Sequence, residues 1–395
     1  MSSDHPPVDA ALSQLRDAHG ARLRALHLKE GWSYIGERFE TRPYWPLVPK
    51  NDTAFHLWAW RDIRPAILAG KDVVEVGRGE GTYDRRVVSL CNPGLGGAYA
   101  ATATLFADIQ LLGPGEDAPS HHHTPCATRF VLEGQGWTAV TGDRAPLIPG
   151  DIVHCGPAFW HDHQNDGPGD FLFLDVLDIP LLQYLGVSEW YFDYEDVTAD
   201  PDQVHHPLRP DRGDMRPLEQ AWAAPGFTPD DARRYREIGH FPYADVRPLL
   251  DQLAGQQGSP TDGVLLRFRD VATGHSVGPT VDICSQLLRP GEQTLSHRHT
   301  WATIFVCVEG SGRITVDGET RNFGLNDVWV VPGWAWHAWE NPHGEACVVH
   351  SISDLAVLER LGFAREQTRG SDGAVKDTGW PPPPYVRTKP IGRVP

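Results

Sequence analysis

Along most of this chain the apolar residues come in short bursts cut off by glycine, proline and aspartate. Phe130-Val131-Leu132, Trp137-Thr138-Ala139-Val140 and Asp151-Ile152-Val153 form one such series. Thr303-Ile304-Phe305-Val306-Cys307-Val308, Arg313-Ile314-Thr315-Val316 and Val328-Trp329-Val330-Val331 form another. Runs of this length between turn residues predict β-strands. Asp317-Gly318, set between two apolar runs, predicts a two-residue hairpin turn. Helical spacing shows from Val8 to Leu28 and around Pro229–Ile238. The stretch 197–240, rich in Pro, Asp and Arg, reads as a linker, and the tail from Gly379, with Pro381-Pro382-Pro383-Pro384, reads as extended.

The two strand series are copies of one another. Gln110-Leu111-Leu112-Gly113-Pro114-Gly115-Glu116 returns as Gln286-Leu287-Leu288-Arg289-Pro290-Gly291-Glu292, and Ser120-His121-His122-His123-Thr124 as Ser296-His297-Arg298-His299-Thr300. Glu133-Gly134-Gln135-Gly136 returns as Glu309-Gly310-Ser311-Gly312, and Trp160-His161 as Trp336-His337, always 176 positions later. The lead-in Asp62-Ile63-Arg64-Pro65 also has a partner, Asp245-Val246-Arg247-Pro248. A single pair of copies this long is a duplicated domain, not a solenoid. Even, short strands predict a small antiparallel barrel or jelly roll in each copy.

Composition narrows the function. A net charge of -17, from 35 basic and 52 acidic residues, argues against a nucleic-acid or anionic-membrane partner. The 40 glycines and 34 prolines fit a turn-rich β protein. The six cysteines are scattered without a CxxC, the N-terminus shows no secretory pattern, and no apolar run spans a membrane, so a cytoplasmic protein with free thiols is expected.

The 19 histidines carry the chemistry. Residues two apart on a strand share a face, so His121 and His123 project together while His122 points away. His161, beyond the next hairpins, supplies a third imidazole if the barrel brings it round. Three nitrogens on one side of a metal leave positions open for substrate, and suit Fe, Zn, Cu or Ni better than Mg or Ca. His297, His299 and His337 repeat the pattern as a possible second site. The spacing Gly115, His121, His123, Gly134, then His161 and Asn165, resembles the cupin signature, with Ala127 and Thr303 where many cupins carry a glutamate ligand.

Further motifs narrow the resemblance. His56-Leu57-Trp58 with Arg64-Pro65, Arg85-Arg86-Val87 before Asn92-Pro93-Gly94-Leu95, Arg129-Phe130, Trp160-His161-Asp162-His163, Asp175 with Leu177-Asp178-Ile179-Pro180, and Val331-Pro332 with Trp334-Ala335-Trp336-His337 resemble the gentisate 1,2-dioxygenase family, over roughly Tyr44 to Phe363. That family includes salicylate and 1-hydroxy-2-naphthoate 1,2-dioxygenases. The resemblance implies a mainly β bicupin: two double-stranded β-helix (jelly-roll) barrels, with short helices at the N-terminus and between the barrels. It implies Fe(II), one per subunit in the first cupin, and O2 as co-substrate. Cleavage would fall between the carboxyl-bearing and ortho-hydroxyl-bearing carbons of gentisate or a 5-substituted salicylate, in a homotetramer.

Within that frame Arg129, at an even spacing from His123, is expected to bind the carboxylate, with Arg85 and Arg86 as further candidates. His163 is expected to act as acid, base or hydrogen-bond donor, Asp175 to orient a histidine, and Phe106 and Gln110 to line the pocket. The family often has a tryptophan near Phe106 and an arginine at His122, so the wall of this pocket differs. Arg129 becomes Phe305 and His163 becomes Trp339 in the second copy, which assigns catalysis to the first. That leaves the second as a structural or weak metal site, or a relic filled by Trp301, Trp329, Trp334, Trp336 and Trp339. The expected domains are a helical and extended arm (1–84), the first cupin (85–196), a linker with a helix (197–262), the second cupin (263–363) and an extended tail (364–395). A non-enzymatic bicupin binding a small aromatic acid or sugar, or an O2-independent cupin isomerase or hydrolase, are the alternatives.

Overall fold

The computed structural model describes residues 10–28, 49–77, 81–192, 213–214, 238–270 and 273–378. They fall in two compact units, Met1–Lys50 and Asn51–Pro395. The first contributes a helix, Ala10–Ala25, where helical spacing is predicted. The helix expected around 229–238, except its last residue, and the tail from Gly379 lie outside the described residues.

In the second unit each copy of the repeat forms two facing six-stranded sheets. One sheet of the first barrel runs, in spatial order, Trp190–Phe192, Asp117–His123, His161–Gln164, Gly136–Val140, Asp143–Leu147 and Gly213–Asp214. Opposite it lie Ile238–Phe241, Ile152–Cys155, Ala127–Glu133, Phe171–Leu177, Phe106–Leu112 and Arg86–Ser89. The first of these is the histidine sheet, the second the arginine sheet. The second barrel pairs Glu319–Gly324, Ser311–Val316, His337–Glu340, Ser296–His299, Glu366–Arg369 and Val375–Thr378 against His56–Trp58, Val328–Val331, Thr303–Glu309, Cys347–Ser353, Asp282–Leu288 and Val264–Arg267. This is the double-stranded β-helix, used twice.

Strand alternation explains why the central strands are apolar on both faces. In Ala127–Glu133, Phe130 and Leu132 pack outward into a cluster that also holds Ile304, Val306, Val328 and Val330 of the second barrel. Val131 points inward to Phe171, Phe173 and Val153. The arginine sheet and its counterpart are thus buried on both sides, back to back, and read as near-continuous hydrophobic runs. Glycine recurs where the backbone demands it. Gly134 and Gly310 have φ of +76° and +74°, and a Cβ there would strike the Asp170 or Ala346 carbonyl.

The lead-in segments cross over. His56–Trp58 pairs with a strand of the second barrel, and Ile238–Phe241 pairs with one of the first. The helices that follow, Trp60–Ala69 and Tyr243–Ala254, return an arginine to the other copy. Arg64 Nε donates to Glu133 at 2.9 Å and Arg247 Nε to Glu309 at 2.8 Å. Two further bonds tie the barrels together: Thr280 Oγ1 donates to Asp178 at 2.5 Å, and Thr104 Oγ1 to Asp354 at 2.8 Å.

Candidate active site

A break in one strand sets the first triad. Along the pairing of Asp117–His123 with His161–Gln164 the register shifts between Ala118 and His121, where Pro119 cannot donate to the ladder. The extra residue brings His121 opposite His161. The ligand atoms of His121, His123 and His161 lie within 4.8 Å of one another, and all three side chains are buried. Each Nδ1 donates to a backbone carbonyl: His121 to Pro119 at 2.8 Å, His123 to Pro125 at 2.6 Å and His161 to Phe159 at 2.8 Å. A carbonyl only accepts, so Nδ1 carries the proton and Nε2 keeps its lone pair, the tautomer that binds a metal.

The electrostatics agree. Burial first, and then the neighbouring imidazoles and arginines, hold His121 and His161 well below the ordinary imidazole range, and His123 is pushed down to about 3, by burial above all. These are neutral ligands at neutral pH. The Nε2 of His161 is buried without a hydrogen-bond partner. An orphaned buried lone pair costs free energy unless something occupies it. Three converging imidazoles fit a divalent first-row transition metal.

The facing arginine sheet brings a second set of groups together. Arg129 stands opposite Asp175 in register, with Nε 3.3 Å from its carboxylate, and both are buried. Asp175 therefore braces an arginine, not a histidine as expected from its position in the chain. Arg129 Nη1 and the Gln110 amide nitrogen have no hydrogen-bond partner. Phe106, Asp108 and Gln110 alternate along one strand and share its inner face. Burial first, then the charge of Asp175, drive the Asp108 carboxyl well above the usual carboxylate range. His163, fully buried, is held through Nδ1 by the Thr138 hydroxyl at 2.8 Å and kept neutral by burial and by Arg129.

Arg85 and Arg86 part company. Arg85 is anchored by Asp84 at 2.8 Å and lies over the Phe192 ring at 5.9 Å, at the mouth of the first barrel. Arg86 points the other way, where it clamps Glu116 at 2.8 Å and the Val74 carbonyl at 2.7 Å. The expectation that Arg86 binds substrate does not survive this placement. His122 also faces away from the triad, stacked on Tyr191.

Several residues of the pocket are not evident from motifs. Trp190 and Phe192 close one side, Trp190 packing on His123 at 4.3 Å and Phe192 stacking on His121 at 5.7 Å. Asp108 and Thr138 also escape motif reading. Alternation from Gln110 and from Val140 is the signal that points to them.

In the second barrel, His297, His299 and His337 form an equivalent buried triad. Phe305, Phe323, Trp329 and Trp339 pack into the interior where the first barrel holds Arg129 and His163. Trp334 and Trp336 do not join them. They sandwich Arg298 at 4.4 and 4.6 Å, away from the histidines.

Fold and site together define a bicupin with a buried three-histidine centre facing a buried arginine. The cupin domain family matches residues 108–177 and 285–353. The chain is 30% identical to 5-aminosalicylate 1,2-dioxygenase of Comamonas sp. over 92% of this chain and 93% of that protein. It is 32% identical to gentisate 1,2-dioxygenase of Streptomyces sp., covering 81% of this chain and 88% of that one. Salicylate 1,2-dioxygenase from Pseudoaminobacter salicylatoxidans, solved as adducts with gentisate, superposes with a TM-score of 0.75 at 28% identity, covering 93% of this chain and 97% of that chain. The chain belongs to the gentisate 1,2-dioxygenase family of ring-cleaving bicupins.

Proposed function

We propose that the first barrel is an Fe(II) site that cleaves gentisate or a 5-substituted salicylate, with O2 as co-substrate, between the carboxyl-bearing and hydroxyl-bearing carbons. The observation that carries this reading is Arg129, fully buried opposite the triad with an unpartnered guanidinium nitrogen. A desolvated fork of this kind matches a planar carboxylate. Iron held by His121, His123 and His161 would supply electrons for O2 and Lewis acidity for a phenol oxygen.

The protein groups divide the remaining work. Asp175 fixes Arg129, so that the edge turned from Asp175 meets the substrate carboxylate. Arg85 adds a second positive charge at the mouth. His163, neutral and held at Nδ1, has Nε2 left to exchange a proton with a ring hydroxyl. Gln110 offers an amide donor to the same ring. Phe106, Trp190 and Phe192 provide apolar walls that hold a ring and exclude water.

The test is O2 uptake by anaerobically prepared, Fe(II)-loaded protein with gentisate, salicylate, 5-substituted salicylates and 1-hydroxy-2-naphthoate. An acyclic oxo-diacid is expected from at least one. No consumption with any of them, in protein that binds iron, removes the reading. We also infer a cytoplasmic setting, with which the six free cysteines agree. No helix among the described residues is long and apolar enough to cross a membrane. A homotetramer belongs to the same reading, and light scattering measures it.

A further inference from the structure

One polar row in the first barrel has no counterpart in the second. Asp108, Asp175 and Arg129 stand opposite one another on three adjacent strands, so all three share the inner face. The residues 176 positions later are Cys284, Ser351 and Phe305, in the same register on the same three strands of the second barrel. The fold itself therefore needs no acid and no arginine in this row. Asp108 is buried, and its Oδ1 has no hydrogen-bond partner. A buried carboxyl oxygen left without a donor costs about 1–3 kcal/mol, which a ligand that supplies the donor recovers. Arg129 and Gln110 are donors, already matched to the substrate carboxylate and ring. Asp108 is an acceptor, and it is still without an occupant.

Its place in the sheet says which part of a ring it meets. The triad stands on one sheet of the barrel and Asp108 on the sheet that faces it. In a 2-hydroxybenzoate whose phenol oxygen turns to the triad, the 5-position lies directly across the ring and faces the arginine sheet. Arg129, on that same sheet, takes the carboxylate. Asp108 stands two strands from Arg129, about 10 Å at the usual strand spacing, with Asp175 between them. A ring with its carboxylate on Arg129 therefore lies over Asp175 and brings its far edge to Asp108. Phe106 and Gln110, two residues to either side on the same strand, bound this spot. As an acid or as a carboxylate, Asp108 offers an oxygen that accepts a hydrogen bond. A ring hydroxyl or amino group satisfies it. A hydrogen, methyl or halogen does not.

We propose, on the dioxygenase reading of the first barrel, that Asp108 is a specificity residue: its carboxyl accepts a hydrogen bond from the 5-substituent and selects 2-hydroxybenzoates that carry a hydroxyl or amino group there. A buried acceptor that needs a donor rejects analogues lacking one more strongly than an apolar wall can. Asp108 touches the substituent and not the bond that is cleaved, so its effect falls on which acid is bound.

The experiment is anaerobic calorimetric titration of the Fe(II)-loaded protein with gentisate, 5-aminosalicylate, salicylate and 5-methylsalicylate, followed by O2 uptake with each. Binding is the deciding readout, because a hydroxyl or amino group also makes a ring easier to oxidise. The parent should bind gentisate and 5-aminosalicylate about tenfold or more tightly than the other two acids. In Asp108→Ala that preference should fall to about threefold or less, the loss falling on the two donor-bearing acids. Asp108→Val, which fills the space without an acceptor, should lose it as well. Asp108→Asn keeps an oxygen that accepts and should retain most of it. Iron content and melting temperature, taken on the same samples, identify a variant that has not folded. A parent that binds all four acids within about threefold overturns the proposal, and so does a folded alanine or valine variant with the parent's preference. The expected preference without O2 uptake supports the role of Asp108 in binding and removes the dioxygenase reading instead.

Discussion

Arg129 and Asp175 face each other across adjacent strands of the first barrel, guanidinium to carboxylate at 3.3 Å, both withdrawn from water. Neither side chain is satisfied by the other. Arg129 keeps an unpartnered Nη1 and Asp175 an unpartnered Oδ1. Removing the guanidinium leaves Asp175 buried without a counter-charge, so it should cost stability as well as catalysis. For Arg129→Ala, kcat/KM should fall by the equivalent of about 2–5 kcal/mol, the range for losing one half of a buried charge pair. Arg129→Lys should recover only part of it, because a point charge cannot make the bidentate contact. Steady-state O2 uptake measures both, and a loss below tenfold in the alanine variant would place the carboxylate on Arg85 instead.

Two carboxyls lie behind that arginine, and they should respond differently to the same isosteric change. Burial and the neighbouring Asp175 push the Asp108 carboxyl well above the usual carboxylate range, so Asp108→Asn is the milder of the two changes. Its kcat/KM should stay within about threefold of the parent. Asp175→Asn removes the charge that braces Arg129 and should lower kcat/KM by about tenfold or more. Equal losses in the two variants would mean that the proton sits on Asp175.

The hydroxyl of Thr138 meets His163 Nδ1 at 2.8 Å. Thr138→Val keeps the volume and removes that partner, which strands a buried ring nitrogen at a cost of about 1–3 kcal/mol in stability. The imidazole also loses the bond that fixes its tautomer, so kcat should drop by about tenfold. Iron content should not change, because His163 is not a ligand. Activity and iron measured on the same sample separate this outcome from a collapse of the metal centre.

The extent to which this site is legible in the chain follows from strand geometry. His121 and His123 are visible because even spacing on a strand means one face, whereas His161 and Arg129 stand on other strands and are visible only from the repeat and the family motifs. The same rule separates Arg85 from Arg86: neighbours point to opposite faces, so only one reaches the pocket, and composition alone does not say which. Asp175 is seen as a functional acid but with the wrong partner, since its register against Arg129 is set by the pairing of two strands distant in sequence. The two barrels are evident from the repeat, whereas the exchange of lead-in strands between them is a matter of long-range pairing that no local signal records.

The last expectation concerns the latch between the barrels. Asp354 accepts from Thr104 Oγ1 at 2.8 Å and from the Ala302 N–H at 2.9 Å, and burial still pushes its carboxyl up from the ordinary 3.8 to about 6. The folded protein therefore holds this proton more tightly than the unfolded chain. Between the two values the native state binds more protons, so this group's contribution to stability falls as pH rises from about 4 to 6 and stays low above. The difference amounts to about 3 kcal/mol at most. Asp354→Asn has no charge to bury and can still accept from Ala302, while the Thr104 hydroxyl can turn to Thr102 at 3.2 Å. The variant should gain stability relative to the parent at pH 7.5, and the gain should vanish or reverse near pH 4. Denaturant unfolding of the two proteins across that range is the measurement. A stability difference that does not move with pH would mean that Asp354 is charged in the folded protein throughout.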